Sequence, residues 1–447
     1  MKAISRVLVA NRGEIALRII RACHDAGIEA VAVYSDVDVN ARWVHLADSA
    51  VHIGASRAVK SYLNIDALLA AAQESDADAV HPGYGFLSEN AEFARRVRDA
   101  GLVFVGPPAE VIERMGDKSA ARSTAQAAGV PVVPGSGPVT DLDSARQEAE
   151  RIGYPLLIKA SAGGGGRGIR PVESPDQLES VLATARAETA AVFGDDTLYL
   201  ERALVRARHI EVQVLADNHG NVVHVYERDC SVQRRLQKLI EEAPAPELAP
   251  GTRADICAAA ARLAAHVDYR GAGTVEFLLA EDGSFYFMEM NTRIQVEHPV
   301  TESVTGVDLV AEQLRIARDE PLSVRQEEIT LDGAAIELRL NVEDPDNDFL
   351  PTPGELTRFD LPGGPGVRVD TGFRAGDSIS HYYDSMIAKV ICWGATREQT
   401  LLRAEQALAE LHVAGVPTAG QFYRRLLRSP ELRKGAVHTG WLANWMD

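Results

Sequence analysis

From Glu289 to Pro299 the chain reads Glu-Met-Asn-Thr-Arg-Ile-Gln-Val-Glu-His-Pro, with chemically capable side chains at every second position. Alternate side chains of an extended segment share one face. Glu289, Asn291, Arg293, Gln295 and Glu297 therefore project together if the strand begun by Phe285-Tyr286-Phe287-Met288 continues. Two carboxylates, two amides and a guanidinium have no place in an apolar core, because each unpaired charge is costly to bury. Chemistry on a metal-bound anion has a use for all of them. The rival reading is a solvated edge strand. The aromatic run favours a buried strand whose polar end opens into a cleft.

A second acid supports this. Glu276 interrupts the apolar run Gly273-Thr274-Val275-Glu276-Phe277-Leu278-Leu279 and needs a partner there. Glu289 on the following strand is the natural candidate. Two close carboxylates repel unless a cation lies between them, and magnesium bridging ATP phosphates meets that need. Gly163-Gly164-Gly165-Gly166-Arg167-Gly168 supplies the phosphate side, since glycines let successive amides close around an anion. Strand-like segments flank it, Pro155 to Ala160 and Ile169 to Val172, so it reads as a mobile hairpin lid rather than a loop opening a helix. Lys159 beside it and Lys118 in Gly116-Asp117-Lys118-Ser119 are placed to neutralise phosphate oxygens. The charged run from Glu227 to Lys238 would in isolation be an exposed loop, but Lys238 could meet Arg293 at an anion site.

Several classes are excluded. Asn11-Arg12-Gly13-Glu14 has one glycine where a dinucleotide fingerprint has three, and no Walker lysine motif occurs. A formal charge of -18, from 64 acidic and 46 basic residues, argues against nucleic acid or an anionic membrane as a general partner. The four cysteines lie far apart and read as reduced thiols. The N-terminus lacks a signal-peptide pattern, and no apolar run spans a bilayer, so the expected location is cytoplasmic.

The elements that must position these groups follow from periodicity. Strands at Val7 to Ala10, Val31 to Tyr34, Ala79-Val80 and Val103 to Val105 alternate with helices at Glu14 to Ala26, Ile65 to Gln73 and Glu89 to Ala100. That is the rhythm of a parallel sheet covered on both faces. Pro131 to Pro138 reads as a stiff break before a small subdomain, and a second break follows Ala243. Thr252 to Asp268 reads as a helix, and a strand-rich segment from about Asp332 ends in a helix, Arg397 to Leu411.

His81-Pro82-Gly83-Tyr84-Gly85-Phe86-Leu87-Ser88-Glu89-Asn90, the glycine loop, Glu227 to Lys238 and Glu289 to Pro299 together resemble the biotin carboxylase family. The likeness runs from Asn11 to Tyr382-Tyr383-Asp384-Ser385-Met386. It implies an α/β chain in three parts: a Rossmann-like pre-ATP-grasp domain (1–114), an ATP-grasp domain (115–330, lid about 131–203) and a C-terminal α+β domain (331–447). It implies metal ligands Glu276, Glu289 and Asn291 for Mg2+ or Mn2+. Nucleotide contacts would come from Lys118, Lys159, Gly164, Gly165, Gly166, Glu201, Leu204, His209, Gln233 and Leu278. Lys238, Arg293, Gln295, Val296 and Glu297 would bind bicarbonate, with Glu297 the general base. Arg339 would steady the biotin enolate, and Tyr84 would lie beside the biotin ring.

The implied reaction is carboxylation of biotin through carboxyphosphate, the first half-reaction of an acyl-CoA carboxylase. ATP is a substrate. Biotin is a carrier-borne substrate, since the chain has no Ala-Met-Lys-Met site for attaching it. The expected partners are a biotin carboxyl carrier protein or domain, a carboxyltransferase and a second copy in a homodimer. A pyruvate or other biotin-dependent carboxylase remains an alternative, as do a sister ATP-grasp ligase and a silent nucleotide-sensing scaffold. The chain departs from family patterns at Leu236, where some members have histidine, at Arg202, where lysine is frequent, and at Pro365, where an aromatic meets the dimer partner.

Overall fold

The computed structural model describes residues 4–160, 169–193 and 197–446. Arg6–Val9 (β1), Glu29–Ser35 (β2), Ser49–Gly54 (β3), Ala79–His81 (β4) and Val103–Phe104 (β5) form one sheet in the order β3-β2-β1-β4-β5. All four pairings are parallel. Val7, Leu8 and Val9 are wholly buried, as a central parallel strand covered on both faces requires. The strand order reverses between β1 and β4, which leaves a crevice beyond their carboxyl ends. Asn11 bridges it, its amide donating to the Pro82 and Tyr84 carbonyls at 2.7 Å each. β3 escapes a periodicity reading because it is short, at the sheet edge and polar at Ser49 and His52.

Asn90 caps the helix Ala91–Asp99 by accepting from the Phe93 amide, so that helix starts two residues later than the pattern predicts. Glu89 is thereby left on a loop. A four-stranded sheet follows, in the order Gly135–Val139 (β6), Leu198–Arg202 (β9), Leu156–Ala160 (β7), Ile169–Val172 (β8). β6 falls inside the expected proline-rich break. It tolerates Pro138 because it is an edge strand. The glycine loop, with Gly164, Gly165 and Gly166, lies outside the described residues.

The eight-stranded sheet holds the chemistry. Its order is Phe285–Asn291 (β14), Gly271–Leu279 (β13), Arg208–Ala216 (β10), Val222–Arg234 (β11), Gln237–Ala243 (β12), Ala334–Asn341 (β15), then Met386–Gly394 and Val367–Asp370. Every pairing is antiparallel. The Ile240–Leu338 register joins the central and C-terminal portions in one hydrogen-bonded surface. β14 is an edge strand after all, contrary to the expectation. Its outer side is partly closed by the segment 131–132, with the Phe287 amide donating to the Pro131 carbonyl at 2.7 Å. The charged run 227–238 is not an exposed loop either. Glu227 and Arg228 are buried on β11, each with a charged partner.

Candidate active site

Register builds the first row of the site. Glu289 opposes Glu276, Glu276 opposes Glu211, and Glu211 opposes Arg228, so one face carries three acids and a guanidinium across four strands. Arg228, fully buried, donates to Glu211 at 2.6 Å, Gln213 at 2.9 Å, Thr301 at 3.0 Å and Thr274 at 3.2 Å. Its guanidinium fixes one oxygen of Glu211.

Lys238 projects into the middle of this row. Its ammonium lies 2.6 Å from Glu211, 2.9 Å from Glu276 and 2.7 Å from Glu297. Burial opposes its charge, but Glu211, Glu276 and Glu297 outweigh burial and raise its pKa well above the ordinary range. It is a permanent cation, not a proton donor near neutrality.

The alternation expected beyond Asn291 does not continue. β14 ends there, and Glu297 immediately precedes the helix His298–Thr305. The headgroups converge nonetheless, because the turn folds them back. Gln295 donates to Glu276 at 2.8 Å, and Arg293 donates to Asn291 at 2.8 Å and Gln295 at 3.3 Å. Asn291 donates to Glu276 at 2.9 Å. Glu89 accepts from Arg293 at 2.8 Å and from the Thr292 amide at 3.0 Å.

Arg339 on β15 adds a further cation to the cluster, with Nε 2.6 Å from Glu241 and Nη2 2.8 Å from Glu297. Burial alone would raise the Glu297 carboxyl. Lys238, Arg339 and Arg228 instead hold it well below the usual carboxylate range. Burial pushes Glu241 up to about 7 against the pull of Arg339. Glu276 is likewise buried, yet Lys238 and His209 depress it strongly, His209 Nε2 lying 3.0 Å from its second oxygen.

The residues present fit a divalent cation. Glu289 is exposed, and its carboxylate makes no hydrogen bond among the described residues. Its partial enclosure, followed by the charge of Glu276, pushes its carboxyl upward. Two opposed carboxylates and the Asn291 amide oxygen are the hard donors that magnesium takes.

The nucleotide candidates spread more widely. Lys159 on β7 pairs with Glu201 on β9, and their backbones lie two register positions apart across the same pair of strands. Lys118 is exposed at the start of the helix Lys118–Ala127. Leu278 opposes His209 in register, and Gln233 opposes Lys238. Leu204 follows β9 in an irregular segment. Leu236 sits with Arg235 at the tip of the β11–β12 hairpin, both with positive φ, and is 68% exposed. No polar contact can arise from it. Pro365 lies exposed in a glycine-flanked turn, and Arg202 is also exposed.

Tyr84 lies in the crevice beyond β4, its hydroxyl donating to Glu14. Four acids of the cluster were not singled out from sequence: Glu211, Glu241, Glu337 and Glu89. Glu211 and Glu241 carry the signal that revealed Glu276, a glutamate in an apolar strand. Glu89 was quoted only as part of a motif.

The chain matches the family models Biotin carboxylase, N-terminal domain over residues 3–112, Carbamoyl-phosphate synthase L chain, ATP binding domain over 117–325, and Biotin carboxylase C-terminal domain over 337–444. It is 52% identical over 438 residues to Biotin carboxylase of Nostoc sp., covering 98% of each chain. It is also 52% identical over 441 residues to Biotin carboxylase of Haemophilus influenzae, again covering 98% of each chain. Among solved structures, the biotin carboxylase domain dimer of Hydrogenobacter thermophilus 2-oxoglutarate carboxylase, in complex with MgADP, ADP and bicarbonate, superposes with a TM-score of 0.91 at 45% identity, covering 99% of this chain and 98% of that one. Sheet order, acid–base cluster and full-length similarity agree, and the chain belongs to the biotin carboxylase family of ATP-grasp ligases.

Proposed function

We propose that this enzyme carboxylates biotin, presented on a carrier protein, using ATP and bicarbonate through carboxyphosphate. The observation that carries the reading is the convergence of Lys238 and Arg339 on Glu297, beside a pair of opposed carboxylates suited to a metal. A divalent ion held by Glu276, Glu289 and Asn291 would neutralise and orient the ATP phosphates.

The clamped state explains why substrate must bind before chemistry. Glu297 is ionised but a weak base while two cations grip it. Bicarbonate, an anion of similar shape, competes for Lys238, Arg339 and nearby Arg293. As those cations turn to the substrate, Glu297 regains basicity and takes the bicarbonate proton. The freed oxygen attacks the γ-phosphorus, forming carboxyphosphate and ADP, and Lys238 and Arg293 offset the developing charge. Carboxyphosphate gives CO2 and phosphate, and phosphate removes the ureido proton of biotin. Arg339 steadies the enolate oxygen while nitrogen attacks CO2, with Tyr84 against the ring.

Lys118, Lys159, Glu201, Leu204, His209, Gln233 and Leu278 are assigned to the nucleotide, and Gly164, Gly165 and Gly166 to its phosphates. Gln295 and Val296 complete the bicarbonate pocket. The domain limits 1–114, 115–330 and 331–447 are part of this reading, as are a homodimer, a carboxyltransferase partner and a cytoplasmic location. No helix among the described residues is long and apolar enough to cross a membrane. Fatty acid synthesis is the metabolic setting assigned, with the transferase choosing the final acceptor. The test is ADP release by pure protein with Mg-ATP, bicarbonate and free biotin. Stimulation by biotin supports the assignment, and biotin-independent turnover that responds to another acceptor selects a sister ligase.

A further inference from the structure

Lys389 lies on the strand Met386–Gly394 and is fully buried. An ammonium removed from water needs partners, and distant parts of the chain supply them. Nζ lies 2.8 Å from the Val296 carbonyl and 3.1 Å from Glu14 Oε1. Glu14, buried near the start of the helix Gly13–Asp25, accepts the Tyr84 hydroxyl. Lys389 is also the register partner of Arg339, so the two side chains leave the same face of the sheet side by side. The two cations thus grip consecutive residues. Arg339 holds the Glu297 carboxylate, and Lys389 holds the carbonyl just before it.

The surroundings keep Lys389 charged. Asp370 opposes it on the outer strand and is itself held by Arg368 at 2.9 and 2.7 Å. Glu337 is buried nearby, with neither carboxylate oxygen hydrogen-bonded among the described residues. Burial disfavours the ammonium, but Glu14, Glu337 and Asp370 outweigh it. A lysine that only offset buried acid would need no particular geometry. Here its two contacts lead to two different parts of the chain, the backbone before Glu297 and, through Glu14, the Tyr84 hydroxyl.

We propose that Lys389 is a positioning residue coupling the two halves of the site. Through Val296 it fixes the backbone that presents Glu297 to bicarbonate, and through Glu14 and Tyr84 it fixes the wall facing biotin. The inference rests on the biotin carboxylation reading.

Lys389→Met, Glu14→Gln and Tyr84→Phe are compared in the full chain. ADP release is measured with bicarbonate alone and with free biotin added, and calorimetry of MgADP binding reports folding. Glu14→Gln and Tyr84→Phe should raise KM for biotin about tenfold, the loss of one hydrogen bond to a charged group, and more than they raise KM for bicarbonate. Lys389→Met should do the same and also lower kcat of biotin-independent ADP release about a hundredfold, as a misplacement near 1 Å does, with MgADP binding retained. Lys389→Met combined with Glu14→Gln should be no worse for biotin than Lys389→Met alone, since both cut one link. Wild-type kinetics in Lys389→Met overturns the proposal. So does an unchanged biotin KM in Glu14→Gln and Tyr84→Phe, a result that decides the matter even where Lys389→Met fails to fold. A wild-type protein without bicarbonate-dependent ADP release overturns the parent reading and this inference together, and is recognised because the unmodified enzyme is itself silent.

Discussion

Replacing Lys238 by methionine removes the one ammonium shared by Glu211, Glu276 and Glu297 at 2.6, 2.9 and 2.7 Å. Each charge-assisted hydrogen bond is worth roughly 1.5–3 kcal/mol, so a simple sum is roughly 4.5–9 kcal/mol. The sum overshoots, because the three acids share one donor and can take up a proton once it is gone. Breaking a buried ion pair costs about 3–5 kcal/mol, and that is the loss expected near pH 7.5. The pH dependence has a definite sign. Glu276 and Glu297 are depressed below their ordinary 4.5, so their contribution is present above that pH and is lost as pH falls through the folded values. In Lys238→Met the depression is relieved and burial drives the acids upward, so protonation relaxes the variant first. The stability gap between wild type and variant is therefore widest near neutrality and narrows on acidification. Urea unfolding of both proteins across a pH series measures it. A variant as stable as wild type at pH 7.5, or a gap that widens in acid, would refute the shared-ammonium geometry.

Arg339→Ala should lower biotin carboxylation by about a hundred- to a thousand-fold, and bicarbonate-dependent ATP cleavage less, since Arg339 also holds Glu297 at 2.8 Å. Equal loss of both activities in parallel ADP and carboxybiotin assays contradicts its enolate role. Glu297→Ala should abolish both activities, and near-normal carboxylation by it would remove Glu297 as the base. Glu241 is raised from 4.5 to about 7, so the stability it contributes is full below 4.5 and lost as pH rises through about 7. The stability of wild type relative to Glu241→Gln should therefore decline across that window in chemical denaturation, and a flat difference would show that Glu241 titrates normally.

The parallel sheet was legible because Val7-Leu8-Val9 and its counterparts are continuous apolar runs, which only strands buried on both faces require. Glu276 was legible because a lone acid in such a run demands a partner. Arg293, Gln295 and Glu297 were found by alternation for a partly wrong reason. A turn, not a continued strand, brings Gln295 to Glu276, Glu297 to Lys238 and Arg293 back to Asn291. The run 227–238 read in isolation as an exposed loop because charge density alone signals exposure, whereas here Arg228 meets four partners supplied by neighbouring strands and a helix. Long-range pairing of that kind leaves no local trace. Glu89 shows the same limit, since its partner Arg293 lies 204 residues away.

In the proposed mechanism a bicarbonate oxygen, held by Lys238, Arg293 and Arg339, attacks phosphorus. Running the reaction with 18O-labelled bicarbonate and determining the mass of the released phosphate tests this directly. One labelled oxygen in each phosphate is the predicted result, because the new P–O bond survives when carboxyphosphate breaks down. Unlabelled phosphate, formed at the same rate as ADP, would mean that water is the nucleophile and would contradict the assignment of this site.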